Sequence, residues 1–330
     1  MKCESKYKKI LINVYFGKLN NYFDLWLESC KYQTSYTFLL FTDDQTEYDY
    51  PDNVKVVYTT FDKLKARLRK IYDFDFVLDR PYKLCDYKAA YGDIFSDYIE
   101  GYDFWGYCDL DLIFGNLDGI CTDAILDSYD KISERGHFAL YRNNEELRNA
   151  YKLRAEGTLF YKDVFSSPKI FGFDESWFED GINHILIKNR YRVMLRPINY
   201  ADILRRPYGL RTIREIIEDE NVKKYELSKK KIFYIFNKGV LTQYSLIKHR
   251  IVANEELYIH LLKRPMVNNV TNKNCFKIVP RNRFENIRNA KKVNMWSFFF
   301  INENSTFLEK SINLVKRAFR KMGRLVRKQA

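Results

Sequence analysis

Tyr102-Asp103-Phe104-Trp105-Gly106-Tyr107-Cys108-Asp109-Leu110-Asp111-Leu112-Ile113-Phe114-Gly115 is an aromatic, apolar run interrupted by two aspartates one residue apart. A strand buried on both faces explains the apolar residues, because a parallel sheet is covered above and below. It does not explain the carboxylates, since burying unpaired charge is costly. A hard divalent cation would offset that cost, because Mg²⁺ and Mn²⁺ take oxygen ligands and keep positions open for substrate phosphates. Asp109 and Asp111 therefore read as a metal–diphosphate clamp at the carboxyl end of a strand, where open α/β sheets hold their ligands. The plainer alternative is a strand end whose aspartates cap the next turn. Asp73-Phe74-Asp75 has the same spacing and reads as a solvated loop.

Outward from this stretch, the first 140 residues alternate between apolar runs and amphipathic segments, as in a βαβ arrangement. Strands are expected at residues 10–16, 37–42, 54–59 and 137–141. Helices are expected at 22–33, 61–72, 83–98 and 116–128. The later part is less regular, with a helix expected at 174–188 and a strand at 191–197. A hairpin is expected from 232–236 and 240–246 across Asn237-Lys238-Gly239, and short strands at 257–262 and 276–279. Leu308, Ile312, Val315, Phe319, Met322 and Val326 fall on one helical stripe in the tail, opposite a face rich in lysine and arginine. Such a helix suits the headgroup region of an anionic membrane; docking on the domain or a dimer seam is the alternative.

The 330 residues suffice for one large domain or two intimate ones, and 46% hydrophobic content with 17% aromatics requires a folded core. The six cysteines stand without metal-ligand spacing, which fits a reduced compartment. No signal peptide or membrane span is expected, since the first apolar run is short and none approaches membrane length. The net charge of +13 is unevenly distributed. Residues 1–130 hold 15 Lys+Arg against 23 Asp+Glu, and residues 131–330 hold 41 against 20. A uniformly basic nucleic-acid binder would not divide this way. An acidic metal-binding part and a basic part facing anions would.

With the Asp-x-Asp run following an α/β unit, the chain resembles the GT-A glycosyltransferases. The segments Pro81-Tyr82-Lys83-Leu84-Cys85-Asp86-Tyr87-Lys88-Ala89-Ala90-Tyr91-Gly92, Gly101 through Asp111, and Tyr258-Ile259-His260-Leu261-Leu262-Lys263-Arg264 are similar to a bacterial family grouped with those enzymes and associated with surface-polysaccharide gene clusters. The likeness spans roughly residues 8–285 and leaves out the tail. It implies an α/β fold of GT-A type, a Rossmann-like mixed sheet flanked by helices. Residues 1–285 would form the transferase domain, with a nucleotide-sugar half at 1–142 and an acceptor half at 143–285, followed by a basic amphipathic C-terminal helix within 286–330.

The resemblance further implies a nucleotide-sugar donor, a UDP-sugar as first expectation, bound with Mn²⁺ or Mg²⁺. Asn13, Tyr15 and Phe16 end the first strand, where an aromatic can stack on a base. Asp43 and Asp44 end the second, where a carboxylate can accept from a base or ribose hydroxyl. Core and turn roles are equally open for these residues. Lys83, Asp86 and Lys88 precede the metal strand and could meet a diphosphate and a sugar hydroxyl, or pair with one another. His260 would complete the metal site with Asp109 and Asp111, while Lys263 and Arg264 hold the leaving phosphate. Asp180 or Glu179 would face the acceptor as base or as stabiliser of developing positive charge.

These expectations describe a hexosyl-type transferase acting on a polysaccharide, lipopolysaccharide or lipid-linked glycan. It would be cytoplasmic, peripheral to the inner face of the cytoplasmic membrane, and without a nucleic-acid partner. A metal-dependent nucleotidyl- or phosphotransferase and a non-catalytic anionic-surface or nucleic-acid binding protein are the rivals.

Overall fold

The computed structural model describes residues 5–119, 121–175, 180–195, 200–204, 209–218, 221–226, 231–287 and 293–301. It is a mixed α/β structure in two compact units. One comprises Met1–Leu112 and Asn116–Ile198, the other Ile113–Gly115 and Asn199–Ala330. The first unit thus runs on to Ile198, past residue 142.

The first unit is built on β1 (Lys9–Tyr15), β2 (Tyr36–Thr42), β3 (Val54–Tyr58) and β4 (Phe104–Cys108). β1 pairs in parallel with both β2 and β4, and β2 with β3. The near-continuous apolar sequences of β1, β2 and β4 follow from burial on both faces. After β4 the chain enters β5 (Leu112–Phe114), whose last two residues belong to the second unit, then returns through β6 (Lys131–Ile132), β7 (Phe138–Arg142) and β8 (Val193–Met194). The sheet order is β3-β2-β1-β4-β7-β6-β8, with β7 antiparallel to β4 and β6. Gly106 is required where β4 meets β7, because a Cβ there would stand 2.0 Å from the Ala139 carbonyl oxygen.

Helix α1 (Phe23–Lys31) buries Phe23, Leu25, Trp26, Leu27 and Cys30. Helix α2 (Phe61–Ile71) starts at Thr60, whose side chain accepts the Lys63 N–H, and buries only Leu64 and Leu68. The helix expected at 83–98 is instead a 3₁₀ run over Pro81–Ala90, a single α turn α3 (Tyr91–Ile94) and a second 3₁₀ turn, Ser96–Tyr98. Residues three apart eclipse in 3₁₀ geometry, and Lys83 and Asp86 form a buried ion pair in that register.

The helix expected at 116–128 is confined to α4 (Asp123–Ser128). The preceding residues form a turn in which the Leu117 N–H donates to Gln33 Oε1. Two further short helices, α5 (Glu145–Asn149) and α6 (Tyr161–Phe165), lead to α7 (Ile182–Lys188), which is shorter than the expected 174–188. Residues 176–179 of that expected helix lie outside the described ones, and Gly181 packs so closely that a Cβ on it would stand 2.1 Å from the Glu175 carbonyl oxygen. The strand expected at 191–197 is present as the two residues of β8; residues 196–199 lie outside the described ones.

The second unit holds two sheets. One has the order β11-β10-β9-β15-β5, from β9 (Tyr200–Leu204), β10 (Gly209–Glu218), β11 (Asn221–Glu226) and the later β15 (Tyr258–His260). The other has the order β14-β13-β12-β17-β18-β16. Its strands are β12 (Ile232–Asn237), β13 (Val240–Ile247), β14 (Arg250–Glu256), β16 (Val267–Asn268), β17 (Cys275–Val279) and β18 (Arg283–Asn286). The β12–β13 hairpin turns through Lys238 and Gly239, both at positive φ, as its sequence predicts. β9, β10, β11 and β14 were not expected from the sequence.

Helix α8 (Met295–Phe299) follows β18. The basic stripe expected over 308–326 lies outside the described residues. Among the described residues no helix is long and apolar enough to cross a membrane, and Cys30, Cys85, Cys108, Cys121 and Cys275 form no disulfide.

Candidate functional site

The two aspartates of the opening stretch occupy the link between β4 and β5, and their backbone is held from three directions. Asn13, buried in β1, donates its side-chain amide to the Cys108 carbonyl at the end of β4. Asp109 N–H donates to the His137 carbonyl at 3.0 Å. Asn20, in the loop after β1, donates to the Leu110 carbonyl at 2.9 Å. β4 continues no further as a sheet strand, so the Asp109-Leu110-Asp111 turn stands at the carboxyl end of the parallel set. The order β3-β2-β1-β4 makes this a topological switch point. The chain builds outward from β1 to β3 and then returns to β4 on the other side of β1, the position at whose carboxyl ends open α/β sheets hold their ligands.

Lys88, in the 3₁₀ run, places its ammonium 2.7 Å from Asp109 Oδ1, 2.7 Å from the Gly136 carbonyl and 3.7 Å from Asp174 Oδ2. Burial works against this charge, but the Asp109 and Asp174 carboxylates outweigh it and hold the ammonium above its ordinary value. Burial in turn pushes the Asp174 carboxyl up to about 8, against the opposing pull of Lys88. Gly136 admits this arrangement, because a Cβ on it would stand 2.4 Å from Asp174 Oδ2. Asp109 thus has a fixed counter-charge, while Asp111 is 3% exposed at the other end of the turn.

Lys83 and Asp86 are wholly buried. The Lys83 ammonium donates to Asp86 Oδ2 and to the carbonyls of Val164 and Lys169. Asp86 accepts the N–H groups of Phe171, Gly172 and Phe173. The pair therefore fastens the segment 164–173 that leads into Asp174, with neither side chain exposed. Asp43 and Asp44 fasten another loop. Asp43 accepts the Gly17 N–H at 2.7 Å, and Asp44 accepts Leu19 N–H at 2.8 Å together with the Thr46 hydroxyl and N–H. The Leu19 N–H foremost holds the Asp44 carboxyl below its usual range. Tyr15 and Phe16 flank this loop, and the Tyr15 hydroxyl donates to the Lys18 carbonyl at 3.3 Å.

In the second unit, β5 and β15 are neighbours in one sheet, and the Gly115 N–H donates to the Leu257 carbonyl at 2.7 Å. Gly115 is required there, since a Cβ would stand 2.1 Å from the Glu256 carbonyl oxygen. His260 ends β15, opposite Asp202 in the parallel register with β9, and its Nδ1 lies 3.4 Å from Asp202 Oδ1. A carboxylate beside Nδ1 orients the imidazole and fixes its tautomer. Leu262 and Lys263 follow with φ of 53° and 52°, an unusual pair of left-handed residues that turns the chain sharply after the histidine. Lys263 is exposed. Arg264 is buried, and its guanidinium donates to Asn282 Oδ1 at 3.2 Å.

Asp180 is half-buried and its carbonyl accepts the Leu159 N–H, while Glu179 lies outside the described residues. Asn20, Gly136, Asp174 and Asp202 went unnoticed in the sequence. No local pattern marks them, and the His137 carbonyl is a main-chain group that any residue supplies.

No curated protein matches the chain. A family model matches residues 11–288, which takes in both units and every side chain described above, and the chain belongs to that family of unknown function (DUF6625).

Proposed function

We propose that the protein is a metal-dependent glycosyltransferase of GT-A type that takes a sugar from a nucleoside-diphosphate donor. The observation that carries this reading is the pinned Asp109-Leu110-Asp111 turn at the switch point between β1 and β4, with Lys88 already seated on Asp109. A carboxylate pair held in that place suits a divalent cation and a diphosphate better than it suits a strand cap, because a cap needs no buried lysine behind it.

Asp109, Asp111 and His260 each offer one ligand atom, two carboxylate oxygens and an imidazole nitrogen. The resemblance to the GT-A enzymes supports grouping the histidine with the two aspartates. The imidazole tilts the choice toward Mn²⁺ over Mg²⁺. When bound, the cation supplies the positive charge that a departing diphosphate needs. Asp202 orients His260. Lys263, exposed on its left-handed turn, is the phosphate contact, and Arg264 steadies that turn. Asn13 and Asn20 hold the backbone that carries the aspartates, and the loop fastened by Asp43 and Asp44 is the candidate nucleoside contact. Asp180 or Glu179 is the candidate base or charge stabiliser for the acceptor, a glycan or lipid-linked glycan at the cytoplasmic surface of a membrane.

The test is a thermal-shift panel of UDP, GDP, CDP and UDP-sugars with Mn²⁺, Mg²⁺ or EDTA, on the wild type and Asp111→Ala. Ligand at 100 times its dissociation constant adds about 2.7 kcal/mol of stability. A shift with one nucleotide that requires metal and is lost in Asp111→Ala is expected. No shift with any nucleotide would sink the transferase reading.

A further inference from the structure

The described chain ends in a small aromatic wedge. Helix α8 buries Phe298 against the core of the second unit, with its ring 5.1 Å from that of Phe233. Its remaining large side chains face outward: Trp296 is 66% exposed, Phe299 68%, Phe300 78% and Met295 45%. They are ordered against one another, with Phe299 and Phe300 rings 5.2 Å apart and Trp296 stacked on Phe300 at 6.4 Å. Asn294 and Ser297 form a reciprocal capping box that fixes where the helix begins. A short capped helix with one residue driven into the core is a rigid mount, so the exposed rings are presented rather than dangling.

A soluble surface rarely gathers four large apolar side chains at one place unless something covers them. The sequence on either side of this wedge points to what does. Residues 281–330 carry 13 Lys+Arg against 3 Asp+Glu. A protein partner's interface core is depleted of charge. Trp and Phe flanked by many cations instead match the boundary of an anionic bilayer, where rings enter the headgroup–acyl region and cations meet lipid phosphates. We propose that Met295, Trp296, Phe299 and Phe300 form a membrane-interface anchor that inserts into an anionic lipid surface, with the electrostatic attraction supplied by the basic residues that flank it in sequence. This adds a shaped apolar component to the attachment expected from the basic tail, and it does not depend on the donor-site reading, so the two can fail separately.

The test uses the full chain with vesicles of phosphatidylcholine alone or mixed with phosphatidylglycerol, read by co-flotation. Brominated-chain lipids report insertion by quenching tryptophan emission. Wild type is expected to float with anionic vesicles and to remain behind with neutral ones. The combined Trp296→Ala, Phe299→Ala and Phe300→Ala variant should bind about 10-fold more weakly or worse, with an unchanged melting temperature. Trp296→Phe should still float, yet lose the quenching by brominated chains that wild type shows. The proposal is overturned if neither vesicle binds, if the triple variant floats like wild type, or if quenching is the same in Trp296→Phe. It is likewise overturned if the triple variant merely turns a dimer into a monomer while vesicle binding is unaltered, which would assign the wedge to a second copy of the chain.

Discussion

Replacing Lys83 by Met removes a fully buried cation of the first unit, and its cost follows from the contacts. All three ammonium donors are engaged, to Asp86 Oδ2 at 2.7 Å, Val164 O at 2.9 Å and Lys169 O at 2.7 Å, and neither side chain of the ion pair is exposed. Removing one member of a buried pair strands the other charge, a loss of about 3–5 kcal/mol, to which orphaned carbonyls add about 1–3 kcal/mol each when considered singly. Contributions within one network do not sum, and Asp86 keeps its three backbone N–H donors. The expected destabilisation is therefore about 3 kcal/mol, near the lower bound.

Urea denaturation followed by circular dichroism measures this. The double variant Lys83→Met, Asp86→Asn should recover part of the loss, since a neutral amide oxygen can still accept from Gly172 and Phe173 without leaving a buried anion. A single-variant loss under about 1 kcal/mol, or a double variant no better than the single, would refute the reasoning. Either result would mean that the pair is solvated or that the 164–173 segment is held by something else.

Two other outcomes are expected. Asp202→Asn should weaken Mn²⁺ binding by about 10–100-fold, measured by calorimetric titration, because His260 loses the carboxylate that orients it; unchanged affinity would remove His260 from the metal site. Lys131→Met should stabilise the protein by roughly 1 kcal/mol or more at neutral and mildly acid pH. Burial lowers the Lys131 ammonium from its ordinary 10.5 to about 7, so folding releases a proton. The penalty for the buried charge is full below pH 7 and fades as pH rises toward 10.5. The advantage of the variant should shrink along the same course in denaturation series at several pH values, and an advantage that grew with pH would contradict it.

Much of the first unit was legible because its signals are local. Strands at 10–16, 37–42 and 54–59 and helices at 22–33 and 61–72 appear within a residue or two of expectation, since each is a short apolar run or amphipathic stripe closed by turn residues. The turn at Asn237-Lys238-Gly239 carries its own geometry in a glycine at φ 79°. Asp109 and Asp111 stood out because two carboxylates in so apolar a setting require partners, and the structure supplies Asp109 with Lys88.

Other features belong to tertiary structure alone. That β4 and β5 part into different sheets depends on Gly115 meeting the Glu256 carbonyl, a contact between residues 141 positions apart. The 3₁₀ path of 81–90 reflects a buried Lys83–Asp86 pair whose partners lie on 164–173. Lys83, Asp86 and Lys88 look alike in sequence, yet folding seals the first two inside a loop fastening and sets Lys88 on Asp109. Asp174 and Asp202 acquire their places only because a glycine backbone and a parallel strand register admit them. Local sequence determines which residues prefer strand, helix or turn; burial, and the partners that burial requires, decided what each charged side chain became.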